Sequence, residues 1–179
     1  MTRTDLARRI MKSAYLTGTF LLRSGKTSSF YFDKYRFESD PVLLTAIAEE
    51  MAGMVPQYVD RLAGLELGGI PLATALSLKC GKPCLFVRKE AKTYGTCNLA
   101  EGGFEPGDKI LIIEDVITTA GQVCESVAAL RQLGLEVSDV LCAIDRQQGG
   151  REKLAGIGCS LTPVFTLSEL EAAAEQPTS

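Results

Sequence analysis

The stretch of the chain whose residue types are best suited to ligand binding or catalysis is ILIIEDVITTAGQ, residues 110–122. Its four leading aliphatic residues are typical of a strand that is buried on both faces, and ionised carboxylates are costly to bury. We therefore expect the strand to end at Glu114 and Asp115. Ligands of open parallel sheets bind beyond the carboxyl ends of the strands, so neither acid need be buried there.

The residues that follow the two acids have the composition of a phosphate-binding turn. A helix is predicted to begin near Ala120, which leaves free backbone N–H groups at its start. With the hydroxyls of Thr118 and Thr119 and the small Gly121, these groups could hold a phosphate. The two acids would then lie about one sugar away, within reach of ribose hydroxyls or a Mg²⁺ ion. The alternative, an ordinary strand–turn–helix unit with solvent-facing acids, does not account for the order of strand, acids, hydroxyls and glycine.

A pair of glycines follows the short predicted strand RLAGLEL at residues 61–67. Gly68 and Gly69 lack Cβ atoms, so the backbone there could approach an anion closely. The alternative is a plain turn before a helix that begins at Pro71.

A basic run, RKEAK, places Arg88, Lys89 and Lys92 at the start of a long polar segment. Residues 90–108 contain several glycines and no clear periodicity, which is typical of a flexible functional loop. A solvated charged loop is the alternative for such a run.

Composition narrows the chemistry that these residues can perform. The chain of 179 residues contains no histidine, which removes the commonest general base and the commonest transition-metal ligand. A formal net charge of −3 argues against a broad nucleic-acid-binding surface. The six cysteines form no CxxC pair, which favours reduced thiols over a disulfide framework.

Length and hydropathy predict one cytoplasmic domain. No apolar run approaches the ~18–20 residues that span a bilayer, and the first ten residues lack the core of a signal peptide. A chain of this length is usually a single domain that can bury a core of its own. We therefore expect no membrane partner.

The order of the predicted elements indicates an α/β fold with a mostly parallel sheet that is flanked by helices. Helices are predicted over residues 2–16, 39–57, 71–81 and 120–134; strands over 61–67, 83–89, 109–115, 139–146 and 161–166; and a strand or hairpin over 24–37. Asp40 is the predicted N-cap of the second helix, Pro41 its first residue and Pro56 its stop. Gly134 is the predicted C-cap of the last helix.

Four segments together resemble the orotate phosphoribosyltransferase family of type I phosphoribosyltransferases. IIEDVITTAGQ is similar to the phosphoribosyl-pyrophosphate (PRPP) binding motif, and SGKTSSFYFD, LELGGIPLATALS and FVRKEAKTYGT...AEGG narrow the match. The resemblance implies the type I phosphoribosyltransferase fold, with one domain over 1–179. It also implies an N-terminal hood segment at 1–39 and a long flexible catalytic loop at about 90–108.

The resemblance implies Mg²⁺-dependent transfer of a phosphoribosyl group from PRPP to orotate, giving orotidine 5′-monophosphate and pyrophosphate in the pathway to UMP. It gives catalytic roles to Lys92, Glu114 and Asp115. The implied PRPP contacts are Arg88, Lys89, Lys92, Tyr94, Glu114, Asp115, Val116, Ile117, Thr118, Thr119, Ala120, Gly121, Gln122, Gly68 and Gly69. The implied orotate contacts are Thr118, Arg146 and Lys26, with a bidentate pair between Arg146 and the orotate carboxylate. PRPP would hold most of the Mg²⁺, helped by Glu114 and Asp115.

The resemblance also implies a homodimer in which the loop closes over the site of the neighbouring subunit and excludes water. Two departures from the family pattern stand out. Tyr94 occupies the place of a loop histidine and cannot become a cation. Leu67 and Gly68 occupy places where some members carry an aromatic–lysine pair, so Lys89 would matter more.

Three rival interpretations remain open. A type I phosphoribosyltransferase for another base would have no need of the charge of Arg146. A non-catalytic nucleotide-sensing regulator that binds RNA or DNA would need a basic surface, which an acidic chain does not favour. An inactive paralogue is suggested only by Tyr94, and the retained acids and loop lysines argue against it.

Overall fold

The computed structural model describes residues 1–21, 25–90 and 99–175. The helices of this part are α1 (Arg3–Ala14), α2 (Tyr35–Glu38), α3 (Pro41–Ala52), α4 (Gly69–Cys80), α5 (Gly121–Gln132), α6 (Gly150–Ala155) and α7 (Leu167–Glu175). The strands are β1 (Tyr15–Leu21), β2 (Thr27–Phe32), β3 (Arg61–Leu65), β4 (Cys84–Val87), β5 (Ala100–Glu101), β6 (Lys109–Ile117), β7 (Glu136–Asp145) and β8 (Ser160–Thr166).

The central sheet has the strand order β5-β4-β3-β6-β7-β8. Every neighbouring pair is parallel except β4 with β5, which confirms the predicted mostly parallel sheet. The chain passes from β3 to β4 on one side and later returns to add β6 on the other side of β3. Between β3 and β6 the strand order therefore reverses, and open α/β sheets bind ligands at the carboxyl ends of strands at such a point.

Helices cover both faces of this sheet because the residues of β6 alternate between two hydrophobic cores. Leu111 and Ile113 face a core with buried residues of α1, α3, α4 and α7. Ile110 and Ile112 face a second core with buried residues of α5 and α6. The continuous apolar run of β6 is thus a strand that is buried on both faces, as predicted.

The first residues of the chain add a helix and a two-stranded antiparallel sheet of β1 and β2. The rings of Tyr15 and Phe30 stack across this pair with centroids 5.3 Å apart. Phe20 and Tyr31 form a second ring pair at 5.6 Å. The predicted opening helix and the predicted strand or hairpin are both confirmed.

Local signals set some helix ends correctly. The side chain of Asp40 accepts hydrogen bonds from the backbone N–H groups of Val42 and Leu43, and Pro41 is the first residue of α3. The prediction that Pro56 stops this helix was wrong, because α3 already ends at Ala52 with Gly53 as its C-cap. The prediction for Gly134 was wrong by one position, because Leu133 caps α5 and Gly134 follows it with a left-handed φ of +83°.

Sequence periodicity did not predict five elements. β1 begins at Tyr15, inside the segment predicted as the opening helix, which ends at Ala14. α2, β5 and α6 are too short to show a period, and α7 adds Leu170 and Ala173 to the core against α1. The five cysteines in the described ranges are free thiols. Within those ranges, no helix has both the length and the apolar character to cross a membrane.

Candidate active site

A cleft of about 400 Å³ lies beyond the carboxyl ends of β3 and β6, where the strand order reverses. Its walls come from the segment before α2, the turn after β3, the start of the basic run, and the turn between β6 and α5. The lining residues are Lys34, Tyr35, Glu66, Leu67, Lys89, Glu114, Val116, Ile117, Thr118, Thr119, Ala120, Gly121, Gln122 and Val123. The cleft thus brings together most of the predicted PRPP contacts.

The turn from Thr118 to Gln122, which we call the phosphate cradle, has the geometry of an anion site. Ala120 is in the left-handed conformation with φ of +55° and precedes the first residue of α5. No side chain caps this helix start, so its first N–H groups, which line the cleft, have no side-chain partner in the described part of the chain. An uncapped helix N-terminus that faces a cleft can bind a phosphate oxygen through its backbone.

Neighbouring elements hold the cradle in place. The backbone N–H of Arg146 donates to the carbonyl of Ile117 at 2.8 Å, which joins the end of β7 to the start of the cradle. A Cβ atom on Gly150 would lie 2.7 Å from the carbonyl oxygen of Thr118, so α6 can pack this closely only because residue 150 is glycine. Sequence reasoning missed Gly150, because its contact partner lies 32 positions away.

The turn from Glu66 to Gly69, which we call the glycine turn, packs against β6. A Cβ atom on Gly69 would lie 2.3 Å from the carbonyl oxygen of Ile113, and one on Gly68 would lie 1.6 Å from Asp115 Oδ2. Both glycines are therefore required by packing within the protein. The turn leads directly into α4, which begins at Gly69 and not at Pro71 as predicted.

The prediction that the strand ends at the two acids was wrong. β6 continues to Ile117, because Val116 and Ile117 still pair with β7. Asp115 consequently points into the protein with no exposed surface, whereas Glu114 is partly exposed and lines the cleft. The buried charge of Asp115 has a counterion in Lys34, whose Nζ lies 2.6 Å from Asp115 Oδ2.

Asp115 and Lys34 form the ionised pair of a buried charge cluster. Burial would raise the pKa of Asp115, but its interactions with Glu114 and Lys34 outweigh burial and hold that pKa below its usual value. Burial would lower the pKa of Lys34, but the neighbouring Asp115 raises it overall. Both groups therefore carry their charge at neutral pH.

Two glutamates with raised pKa values complete the cluster. Burial, and then the interaction with Asp115, raise the pKa of Glu38 to about 9. The same two causes raise the pKa of Glu114 well above its usual value. Near neutral pH the cluster thus contains the carboxylate of Asp115, the ammonium of Lys34 and the neutral carboxyl group of Glu38.

Sequence reasoning missed three of the charged residues at this site. Lys34 immediately precedes α2 and Glu38 is its last residue, in and next to a segment for which the sequence predicted only a strand or hairpin. Glu66 lies at the end of β3, and its Oε2 accepts a hydrogen bond of 3.1 Å from the backbone N–H of Lys89. This bond ties the basic run to the glycine turn, a contact that no local pattern reveals.

The remaining predicted site residues lie outside the lining of the cleft. The Nε of Arg88 lies 3.4 Å from Glu101 Oε1. The Nε of Arg146 is buried without a hydrogen-bond partner among the described residues. Lys26 is exposed just before β2. Lys92 and Tyr94 lie outside the described residues, so their predicted roles stay predictions.

Comparison with known proteins agrees with this architecture. No protein-family model matches the chain. An orotate phosphoribosyltransferase of Nocardioides sp. is 54% identical over 160 residues, which covers 89% of each chain. The crystal structure of orotate phosphoribosyltransferase from Aeropyrum pernix superposes with a TM-score of 0.82 at 33% identity, covering 96% of this chain and 99% of that one.

A third similar protein has been solved with a ligand. The Mycobacterium tuberculosis orotate phosphoribosyltransferase in complex with PRPP has a TM-score of 0.80 at 27% identity, covering 94% of this chain and 98% of that one. The fold, the strand order and the similarity to relatives over most of the length of this chain all indicate the same family. The chain belongs to the orotate phosphoribosyltransferases, which are enzymes of the pentosyltransferase class.

Proposed function

We propose that this cleft transfers the phosphoribosyl group of PRPP to orotate, giving orotidine 5′-monophosphate and pyrophosphate in the pathway to UMP. The observation that carries the proposal is the uncapped N-terminus of α5, which lines the same cleft as Glu114 and the glycine turn. A phosphate site, an acid and a second turn are thus spaced around one cavity, as a phosphorylated sugar with a second anionic group requires. A similar protein has been crystallised with PRPP.

In the proposed reaction, the phosphate cradle holds the 5′-phosphate and Glu114 faces the ribose hydroxyls. The bond between the anomeric carbon and a pyrophosphate oxygen breaks, and a bond from that carbon to a ring nitrogen of orotate forms as that nitrogen loses its proton to the departing pyrophosphate. Positive charge develops on the sugar while negative charge develops on the departing pyrophosphate. Lys89, at the edge of the cleft, and Lys92, as predicted from the sequence, would stabilise the leaving group.

Arg146 is the proposed partner of the orotate carboxylate, with Thr118 and Lys26 as further contacts. The buried Nε of Arg146, which has no hydrogen-bond partner among the described residues, supports this role. A buried guanidinium nitrogen without a partner is costly, and a ligand carboxylate would satisfy it. A purine base would leave it unsatisfied, which is why we favour orotate over other bases.

We propose that Mg²⁺ binds together with PRPP. Carboxylate oxygens are the type of donor that this cation prefers, and the family resemblance assigns a supporting role to Glu114 and Asp115. Glu114 lines the cleft and can reach a cation that is bound to PRPP, whereas Asp115 is fully buried and is already paired with Lys34. Among the residues that the structure describes, no group of three or more metal-ligating side chains is assembled, so most ligands are assigned to PRPP. When bound, the cation would neutralise charge on the pyrophosphate.

We further propose a homodimer in which the loop of one subunit acts at the site of the other, as the family resemblance implies. Lys92 would then act in the partner's cleft. Light scattering of the purified protein tests the dimer, because a monomeric mass at assay concentration would contradict it. The cytoplasmic location expected from the sequence stays a prediction.

The proposal predicts turnover with orotate and with no other base. Absorbance would follow orotate consumption with PRPP and Mg²⁺, with uracil and hypoxanthine tested in parallel. Lys92→Ala and Arg146→Ala are each expected to lower kcat/KM about 100-fold or more, since each removes a charge that contacts a reacting group. Lys79→Ala removes a lysine whose partner is the surface residue Glu49, and it serves as the control.

Two outcomes would contradict the proposal. If uracil or hypoxanthine were turned over faster than orotate, the proposed PRPP site would stand but orotate would not be the substrate. Binding of PRPP without turnover of any base would favour a regulator or an inactive paralogue.

A further inference from the structure

The described lining of the cleft is poorly matched in charge to its proposed ligand. PRPP carries several negative charges, yet the ionisable acidic and basic side chains in the described lining are two lysines and two glutamates: Lys34, Lys89, Glu66 and Glu114. A third acid, Asp115, lies directly behind them and is paired with Lys34. The binding of a polyanion here therefore depends on how these few cations are arranged.

Lys34 lies beside the glycine turn. Its Nζ is 2.6 Å from Asp115 Oδ2, and that same oxygen occupies the space next to Gly68 where a side chain would begin. The ammonium group consequently lies at a turn that has no polar side chain of its own at residues 67–69. The Lys34 side chain is 32% exposed, whereas that of Asp115 is fully buried, so Lys34 is the member of the pair that faces the cleft.

The contact between Lys34 and Asp115 leaves donor capacity unused. The Nζ of Lys34 contacts a single oxygen of Asp115, Oδ2, at 2.6 Å. An ammonium group has three N–H donors. Lys34 can therefore remain close to Asp115 while it donates to an oxygen of a ligand in the cleft.

The backbone around Lys34 is well anchored, which favours a defined position for its side chain. The N–H of the preceding Asp33 donates to the carbonyl of Ala14 at 2.8 Å, and α2 begins at the following Tyr35. Phe37 in this short helix is fully buried in the core. The ammonium of Lys34 also lies 5.3 Å from the ring centroid of Tyr35. A binding group on an anchored segment is held in position before the ligand arrives.

We propose that Lys34 is a pyrophosphate-binding residue that bridges Asp115 and the pyrophosphate group of bound PRPP. It supplies, from another segment of the chain, the cation that the glycine turn lacks. The inference rests on the proposed function, because it assigns the glycine turn to the pyrophosphate half of the ligand. The competing role for Lys34 is that of a structural counterion that only stabilises the buried Asp115.

Calorimetric titration of the whole protein with pyrophosphate and Mg²⁺ tests the proposal without requiring turnover, with ribose 5-phosphate as the second ligand. Lys34→Met should weaken pyrophosphate binding about tenfold or more, because it removes a charged hydrogen bond, and leave ribose 5-phosphate within about twofold. Lys34→Arg should restore most of the affinity for pyrophosphate. Lys79→Met is the matched control, since Lys79 forms a 2.7 Å pair with Glu49 on the surface.

The proposal would be overturned by unchanged pyrophosphate affinity in Lys34→Met, or by an equal loss for both ligands. Lys34→Met leaves the buried Asp115 without its counterion and could fail to fold. The double variant Lys34→Met/Asp115→Asn removes both charges, and its comparison with Asp115→Asn alone isolates the contribution of Lys34. Equal pyrophosphate affinity in those two proteins would also overturn the proposal.

The titrations separate this inference from the proposed function. If the wild-type protein binds pyrophosphate but turns over no base, the proposed reaction fails while the role of Lys34 is still decided by its variants. If the wild-type protein binds neither ligand, both the inference and the proposed function are overturned.

Discussion

The glycine turn and the phosphate cradle face the same cleft, but their glycines serve different needs. At the glycine turn, a side chain on Gly69 would overlap the carbonyl of Ile113, and one on Gly68 would overlap the carboxylate of Asp115. At the cradle, the nearest atom to a Cβ on Gly121 is Lys153 Nζ at 3.6 Å, an ordinary contact distance. The first turn needs glycine for the protein to pack, whereas the second leaves room for a ligand.

The two turns also differ in how they can stabilise an anion. The cradle offers hydroxyl groups and the free N–H groups of α5, which are neutral dipoles fixed by the backbone. The glycine turn lies over a buried cluster in which Lys34 is ionised and Glu38 is protonated. Changes at the glycine turn should therefore alter stability and its pH dependence, while changes at the cradle should alter binding.

The largest loss of stability is expected for Gly69→Ala. Its new methyl group would meet the backbone of Ile113, which cannot rotate away, so the free energy of unfolding should fall by about 3 kcal/mol. Urea unfolding measures this change. Gly103→Ala is the control, because apart from its two chain neighbours no described residue has an atom within 4 Å of its Cβ position. Wild-type stability in Gly69→Ala would show that the glycine turn is not closely packed and would remove the contrast with the cradle.

A smaller change, and one that depends on pH, is expected for Glu38→Gln. The pKa of Glu38 is about 9 in the folded protein and near 4.5 in the unfolded chain, so between these pH values only the folded state holds the proton. In the wild-type protein, the stabilisation that protonated Glu38 contributes is fully present below pH 4.5 and is lost as the pH rises toward 9. Glutamine does not titrate, so at pH 8 the variant should be more stable by about 1–3 kcal/mol.

Urea unfolding at pH 6, 7 and 8 measures this difference. The groups that face Glu38 are Asp115, Lys34 and Asp33, and each must keep its charge state across this range for the comparison to hold. Glu171→Gln, on the exposed side of α7, is the control and should follow the wild-type curve. If the free energies of unfolding of Glu38→Gln and of the wild type changed with pH in parallel, Glu38 would not be the buried group that takes up a proton on folding.

The smallest change in stability is expected for Gly121→Ala, within about 1 kcal/mol, because the methyl group has room and alanine favours a helix. Binding of ribose 5-phosphate should nevertheless weaken about tenfold, because the methyl group keeps the phosphate from the backbone N–H groups. Calorimetry and urea unfolding measure the two effects. Gly53→Ala is the control: Gly53 lies at the end of α3 with similar space for a methyl group, and its replacement should change neither the stability nor the affinity for ribose 5-phosphate. If Gly121→Ala bound ribose 5-phosphate with wild-type affinity, the phosphate group would bind outside the phosphate cradle.

The parts of this protein that the sequence determined are those whose signal is local. The continuous apolar run of β6, the helix that follows it and the cap of α3 at Asp40 depend on neighbouring residues, and each was predicted. The phosphate cradle is also contiguous, because a helix N-terminus and the residues just before it are sufficient to build an anion site. Thr118, Thr119, Ala120 and Gly121 could therefore be proposed from their order, Gln122 was added by the family resemblance, and phosphate binding at this turn stays a prediction.

Only the tertiary structure decided the buried charge cluster. Lys34, Glu38, Gly68 and Asp115 come from three separate segments, and their meeting depends on how the glycine turn packs against β6. The sequence placed Asp115 at the end of a strand, but pairing of Val116 and Ile117 with β7 extends that strand and buries the acid. Burial and partner charges fix the ionisation of such groups, and both are properties of the folded chain that no local pattern contains.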